Sequence, residues 1–284
     1  MASKDFFVDL HIHTNYSDGV FSPAEVVSYA SKVGLTAIAI TDHDTVDGIA
    51  EAMDAGKQHN IEIVSGIELS AEYGDIQKTE MHILGYYVDW KSTKLKETLD
   101  IFKNARTERA KEIFSRLEKI GIKLNPEGLI ASVGKKVIGR LHFAKVLIEN
   151  GIVASVQEAF QKYLATDQVA YVPKYSITPK QAMELIRDSG GIPVLAHPYY
   201  GHYNNIDVIK GLVDDGLQGI EVWHNKHPEH VVRKLLAITD ELNLIATGGS
   251  DCHGVYGHQE TPLIGKIKVP YSVIESLEKK KQKI

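Results

Sequence analysis

Cysteine is nearly absent from this 284-residue chain: Cys252 stands alone, so there can be no internal disulfide framework, and a reducing compartment suits the protein. Long apolar runs are missing too. No stretch approaches the roughly 18 apolar residues of a membrane-spanning helix, and the opening Met-Ala-Ser-Lys-Asp-Phe-Phe lacks a basic segment followed by an apolar signal core. A cytoplasmic protein with no membrane contact is expected. Positive charge is in deficit, with 32 Lys and Arg against 37 Asp and Glu and a net charge of −5. No global positive field therefore exists to hold long nucleic acid by counterion release; a small phosphorylated substrate, or a chain end, is easier to accommodate.

What is abundant is histidine. Thirteen are present, against about six or seven at a typical usage of about 2%. Composition is otherwise that of an ordinary globular protein, 43% hydrophobic and 24% charged.

Along the chain, residues 6–12 read as a strand, and Ser22-Pro23-Ala24-Glu25 supplies an N-cap serine, a proline at the first helical position and an acidic first turn. The helix runs to about Val33 and Gly34 stops it. Leu35 to Thr41 is a continuous apolar run suited to a strand buried on both faces. A helix near 46–59 and strands at 61–69 and 81–88 follow. From about Ser92 to Ala170 no strong strand is evident; a long charged amphipathic stretch at 93–120 is followed by helical segments near 140–150 and 155–165. The strand and helix alternation resumes with helices at 179–189, 205–215 and 229–242, strands at 192–196, 219–223 and 244–247, a last strand near 264–269 and a helix from Tyr271. Seven or so mostly parallel strands predict an α/β barrel or near-barrel. It is built from 1–91 and 171–284, with 92–170 as a helical insertion covering the active site.

The polar residues gather at strand ends. Asp9-Leu10-His11-Ile12-His13, Thr41-Asp42-His43-Asp44, Gly66-Ile67-Glu68, Ala196-His197-Pro198, Glu221-Val222-Trp223-His224 and Gly249-Ser250-Asp251-Cys252-His253 each close or follow a strand, at the face where such barrels place their chemistry. His82 is the exception, because it opens its strand. Residues two apart on a strand share a face, so His11 and His13 can bind one metal together. Taken alone, such a pair is as readily two satisfied core or surface histidines. Six matching strand ends favour a metal site, and imidazole with carboxylate suits Zn²⁺, Mn²⁺ or Fe.

These residues resemble the PHP (polymerase and histidinol phosphatase) phosphoesterases, in the subgroup acting on nucleotides and RNA 5′ ends. The matching motifs, in family order, are Asp9 to His13 with Ser17-Asp18-Gly19, Thr41 to Asp44, Gly66 to Glu68, His82-Ile83-Leu84-Gly85, Ala196 to Pro198 and Gly249 to His253, with Ile138-Gly139-Arg140-Leu141-His142-Phe143-Ala144 in the insertion. The resemblance implies a distorted (β/α)₇ barrel carrying two or three divalent ions. His11, His13, Glu68 and Asp251 would surround the first. Glu68 would bridge to a second held by His82 and His197, and Asp18, His43 and His253 would hold a third. The family often has histidine where Asp18 stands. Asp9, Asp42 and Asp44 lie beside these residues, as carboxylates that orient imidazoles or as solvated loop acids.

The expected reaction is attack of a hydroxide shared by two cations on the phosphorus of a 3′,5′-bisphosphonucleotide, an AMP-like monoester or a short RNA 5′ end. Glu68 is counted with the catalytic residues, and His224 or His227 is the candidate general acid. His227 is also a candidate substrate contact. Arg140, His142, Lys162 and Lys174 are candidate substrate-binding residues, with solvated helix charge as the alternative for the cations. Tyr199, Tyr200 or Tyr203 could stack on a base, or simply pack a loop. Cys252, between two expected ligands, reads as structural. Competing readings are a histidinol-phosphate phosphatase, a barrel amidohydrolase and a metal-binding regulatory relic; amidohydrolases typically bridge their metals with a carbamylated lysine, whereas Glu68 holds that place here.

Overall fold

The structure, a computed structural model, describes residues 6–74, 79–133, 138–199, 203–255 and 261–282. Its first strand, β1 (Phe7–Ile12), leads to α1 (Pro23–Lys32), whose start is fixed as the sequence predicts. Ser22 accepts from the Glu25 amide and Glu25 reaches back to Ser22, a reciprocal cap around Pro23. Then come β2 (Ala37–Ile40), α2 (Ile49–His59), β3 (Glu62–Tyr73) and β4 (Thr79–Tyr86). Four helices follow: α3 (Thr93–Lys119), α4 (Pro126–Val133), α5 (Arg140–Glu149) and α6 (Val156–Ala159), the last continued by a π-helical turn at Phe160–Leu164. The remainder is α7 (Pro179–Asp188), β5 (Ile192–Leu195), α8 (Ile206–Asp214), β6 (Gly219–His224), α9 (Glu229–Leu242), β7 (Ile245–Gly249), β8 (Val269–Pro270) and α10 (Ser272–Lys281).

The eight strands among the described residues form one sheet in the order β7-β6-β5-β4-β3-β2-β1-β8. Six run the same way, while β4 and β8 run against them. Beyond β7 the chain turns back onto β1: the Asp251 amide donates to the His11 carbonyl (2.8 Å) and the His13 amide to the Cys252 carbonyl (3.0 Å). The sheet is thus a nearly closed barrel with helices around it. Closure needs Gly249, because a Cβ there would lie 2.3 Å from the His11 nitrogen. Inside, Val8, Leu10, Ala37, Ala39, Val64, Leu84, Tyr86, Val194 and Ala196 form one apolar cluster.

Three features depart from the sequence expectation. The strand expected at 264–269 shrinks to Val269–Pro270, since Gly265 takes a left-handed turn (φ 74°) and its amide donates to Asp9 instead of to a ladder. Helix α4 was not foreseen: Asn125-Pro126-Glu127-Gly128 has the composition of a turn, yet the Asn125 side chain accepts from the Glu127 amide and starts a helix with Pro126 in its first turn. Finally, β3 and β4 are long antiparallel neighbours in a sheet expected to be mostly parallel.

The chain divides into two compact units, residues 1–96 with 177–284, and residues 97–176. The second has its own core of Ala110, Ile113, Phe114, Leu117, Phe143, Leu147 and Leu164.

Candidate metal centre

Two bulges aim the chemistry. Between Asp9 and Ile12, β1 has one residue more than β2 opposite it. Val8 and Leu10 therefore enter the barrel core, while past the bulge His11 and His13 turn their Nε2 atoms to within 3.1 Å of each other. A second bulge lies between Glu221 and Trp223 in β6. Strict alternation would separate Glu221 from His224; with the bulge, Glu221 reaches His11 (2.8 Å) and His224 reaches Asp251 (3.2 Å). The reversed direction of β4 settles the case of His82. Its strand begins at the end where the parallel strands finish, and Ser70 pairs with His82 in the ladder, so His82 shares a face with Glu68.

Glu68 is the hub. Its Oε1 lies 2.9 Å from His82 Nδ1 and 3.0 Å from His197 Nε2; its Oε2 lies 3.2, 3.1 and 3.3 Å from His11 Nε2, His13 Nε2 and His43 Nδ1. Asp251 Oδ1 stands 3.4 Å from His11 Nε2 and 3.1 Å from His13 Nε2. Five of the six separations within the set His11, His13, Glu68 and Asp251 are therefore 3.1–3.4 Å. Ligand atoms about 2.0–2.2 Å from a shared zinc ion in tetrahedral geometry stand about 3.3–3.6 Å apart, so these separations suit donors that face one cation.

Two further sets converge: His13, Asp18, His43 and His253, and His43, Glu68 and His82. In both, a histidine faces two ways. His13 puts Nε2 in the first set and Nδ1 3.7 Å from Asp18, and His43 puts Nδ1 toward Glu68 and Nε2 3.9 Å from Asp18. His253 donates Nδ1–H to the Asp251 carbonyl, leaving Nε2 3.4 Å from Asp18. His197 stands beside Glu68 but outside these sets. The buried Nδ1 atoms of His13, His43 and His82 have no hydrogen-bond partner. His82 Nδ1 nevertheless lies 2.9 Å from Glu68 Oε1, an ion-pair distance without hydrogen-bond geometry. Buried orphan nitrogens are costly unless something satisfies them, and the donor set fits divalent cations.

Burial and charge compete across the cluster. Burial alone would lower the pKa of His11, but Glu221, Glu68 and Asp251 outweigh it and hold the ring well above its ordinary value. Burial acts the same way on His13 and His82, and neighbouring carboxylates lift them to about 10 and about 9. His43 is the reverse, carried by burial down to about 3. Burial would raise Asp18, Glu68 and Asp251, yet the surrounding imidazoles hold all three well below the carboxylate range. Three residues of this region hold left-handed backbone, Asp44 (φ 53°), His197 (φ 26°) and Asp251 (φ 51°), as strained residues at functional sites do.

The remaining carboxylates divide by role. Asp9 accepts from the amides of Ser250 and Gly265, and Asp42 from the Thr14 amide and the hydroxyls of Thr14 and Ser17; both brace loops. Asp44 accepts from the Ser70 amide. The carboxylates on the far nitrogens of site histidines are instead Glu221 on His11 and Glu80 on His82. The sequence reading gave neither a role. His224 accepts the Lys226 amide at Nδ1, so its proton sits on Nε2 and points at Asp251. His227 donates Nδ1–H to the Val222 carbonyl and leaves a buried Nε2 without a partner; burial lowers its pKa. Cys252 is buried, with its thiol pKa raised by that burial.

Of the aromatic candidates, Tyr203 is buried and donates to the Glu80 carbonyl, while Tyr199 is partly exposed and meets His227 edge-on. Tyr200 lies outside the described residues. In the second unit, Arg140 opens α5 with its guanidinium 5.6 Å from the Phe160 ring, His142 Nδ1 accepts the Gly139 amide, and exposed Lys162 pairs with Glu158 at 2.6 Å. Lys174 belongs to the same unit. No helix among the described residues is long and apolar enough to cross a membrane.

Comparison with known proteins agrees with this geometry. The sequence profile of the PHP domain matches residues 9–171. A 3′,5′-nucleoside bisphosphate phosphatase of Chromobacterium violaceum is 33% identical over 252 residues, 87% of each chain. A 5′-3′ exoribonuclease of Haemophilus influenzae is 34% identical over 251 residues, 86% of this chain and 89% of that one. Among solved structures, one described as a metal-dependent phosphoesterase from Bifidobacterium adolescentis superposes with a TM-score of 0.84 at 28% identity, covering 95% of this chain and 94% of that one. Another, called an amidohydrolase from Chromobacterium violaceum and holding sulfate without metal, gives 0.80 at 31% identity over 96% of each. The chain belongs to the PHP domain family and is a metal-dependent phosphoesterase.

Proposed function

We propose that the chain releases phosphate from nucleotides, either 3′,5′-bisphosphonucleotides or AMP-like monoesters, or trims the 5′ ends of short RNA, using two or three divalent ions of Mn, Zn or Fe. One observation carries the reading: each oxygen of the buried Glu68 carboxylate faces a different group of imidazoles, Oε1 toward His82 and His197 and Oε2 toward His11, His13 and His43. Cations held there supply an activated water and positive charge against the phosphate oxygens. The first set is His11, His13, Glu68 and Asp251, and the second is Glu68 and His82 with His197 beside them. Asp18, His43 and His253 form the third.

The chain's own residues orient these donors and meet the substrate. His224 aligns Asp251 through its Nε2–H, which suits positioning better than proton delivery. His227 offers an unsatisfied Nε2 and is the candidate to touch the substrate. Arg140, His142, Lys162 and Lys174 are proposed phosphate contacts on the strength of the sequence resemblance, as is the assignment of 92–170 to a segment covering the site. The names of the two sequence relatives and the net charge of −5 support a small or end-bound substrate. The single cysteine suits the cytoplasm.

The test is phosphate release by protein stripped with chelator and reloaded with Mn²⁺, Zn²⁺ or Fe²⁺. The panel comprises 3′-phosphoadenosine 5′-phosphate, AMP, a 5′-phosphorylated oligoribonucleotide and histidinol phosphate. Turnover of the nucleotide substrates only when metal is restored is expected. A preference of about tenfold or more in kcat/KM for histidinol phosphate, or cleavage of amides and lactams without phosphoesterase activity, would overturn it.

A further inference from the structure

Glu221 is fully buried within β6, and both of its oxygens are engaged by donors from different parts of the barrel. Oε1 accepts from His11 Nδ1 at 2.8 Å and Oε2 accepts from the backbone amide of His197 at 2.7 Å. On the other side of the same two residues stands Glu68, with Oε2 3.2 Å from His11 Nε2 and Oε1 3.0 Å from His197 Nε2. The rings of His11 and His197 are stacked, 5.7 Å between centroids and 19° between planes. A closed circuit results: His11, Glu68, His197 and Glu221, from four separate segments of the barrel.

We propose that Glu221 is a positioning residue that sets the separation of the first two metal groups by holding the His11 ring and the His197 backbone on a single carboxylate. The inference rests on the reading that His11 and His197 hold cations. The acceptor requirement explains the residue type. Two N–H groups converge on Glu221, and only a carboxylate offers two acceptor oxygens with no hydrogen of its own. Glutamine has the same shape but turns an NH₂ toward one of the two donors whichever way its amide lies. A proton fixed on Nδ1 of His11 leaves Nε2 as a lone pair facing His13, Glu68 and Asp251. The His197 amide belongs to a residue in left-handed backbone (φ 26°), so its place after β5 depends on being tied. The bulge in β6 is what lets Glu221 do this while His224, three residues on, addresses Asp251.

The experiment is a Zn²⁺ titration of chelator-stripped wild-type and Glu221→Gln protein by calorimetry, beside thermal melts of both metal-free proteins. Wild type should bind at least two equivalents; binding of none would sink the metal reading itself rather than the role of Glu221. Glu221→Gln should fold with a lowered melting temperature, because one buried N–H is left facing an NH₂, and bind two of those equivalents about 10–100-fold more weakly. Affinity within about twofold of wild type would overturn the proposal. Glu221→Asp, which keeps the charge but is one methylene shorter and reaches one partner, should also bind more weakly; full recovery would show that charge alone matters and overturn it. If both variants fail to fold, ¹⁵N imidazole spectra of the Zn²⁺-loaded wild type decide. His11 should carry its proton on Nδ1 and none on Nε2, and the opposite tautomer would refute the assignment.

Discussion

Glu68 shows at the scale of one residue why this cluster wants cations. Its neighbours include His11, His13 and His82, whose rings the carboxylates drive toward the charged form against the pull of burial. Without metal, protons take the place of cations, which gives a prediction with a definite sign. His13 and His82 have folded pKa values of about 10 and about 9, against about 6.5 in an unfolded chain. Above about pH 6.5 the unfolded state binds fewer protons than the folded one, so stability falls as pH rises. His43, held near 3, works the other way but weakly: only its unfolded ring still binds a proton near pH 6.5, and it has lost that proton by about pH 8.5, so it offsets a few tenths of a kcal/mol at most. The chelated protein should therefore melt at a lower temperature at about pH 8.5 than at about pH 6.5. The metal-loaded protein should be protected increasingly with pH, because ligation displaces those protons. Melts across that range with and without chelator check this; a chelated protein that grows more stable toward pH 8.5 would contradict it.

Among the elements, β1 and β7 approach each other closely at Gly249. A Cβ on Gly249 would stand 2.3 Å from the His11 nitrogen and 2.5 Å from its Cβ, with no flexible side chain to move aside. Gly249→Ala should cost about 1–3 kcal/mol through overpacking and weaken metal retention, since it pushes on His11. Gly211, inside α8 with nothing within 4 Å of a built Cβ, is the control. Gly211→Ala should be neutral or stabilising by up to about 1 kcal/mol. Chemical denaturation of the pair tests this, and equal effects would show that the approach of β7 to β1 is not tight. The same elements show what the sequence could reveal. His11, His13, Glu68, His197 and Asp251 were legible because each closes or follows an apolar strand. Glu221 occupies such a place too, but its role required the bulge, which breaks the period of two on which face assignment depends. His82 looked misplaced because strand direction is set by pairing partners, which no local pattern encodes. Helix α4 was hidden because one Asn-Pro pair serves both turns and helix starts.

For the whole molecule, the α/β barrel was readable from its alternation of short apolar strands with capped helices, and the helical character of 97–176 from its lack of strand-like runs. Individual substrate contacts in that second unit are not legible in the same way, because the spacing of a lysine or arginine along a helix does not distinguish a solvated charge from a phosphate contact. Arg140, in the segment Ile138 to Ala144 that resembles the family, should matter more than Lys162, which is exposed and paired with Glu158 one turn away. Arg140→Ala should raise KM for a nucleotide substrate by about tenfold with a small change in kcat, the signature of lost ground-state binding, whereas Lys162→Ala should leave it nearly unchanged. Equal and negligible effects in steady-state assays would remove both from the proposed site. The account as a whole depends on cations caged by distant parts of the chain. Anomalous diffraction from crystals grown with Mn²⁺ or Zn²⁺ tests it directly. A peak is expected within about 2.0–2.3 Å of His11, His13, Glu68 and Asp251, with a second on the opposite oxygen of Glu68; scattering found only at surface sites, with these four side chains hydrogen-bonded to one another, would contradict it.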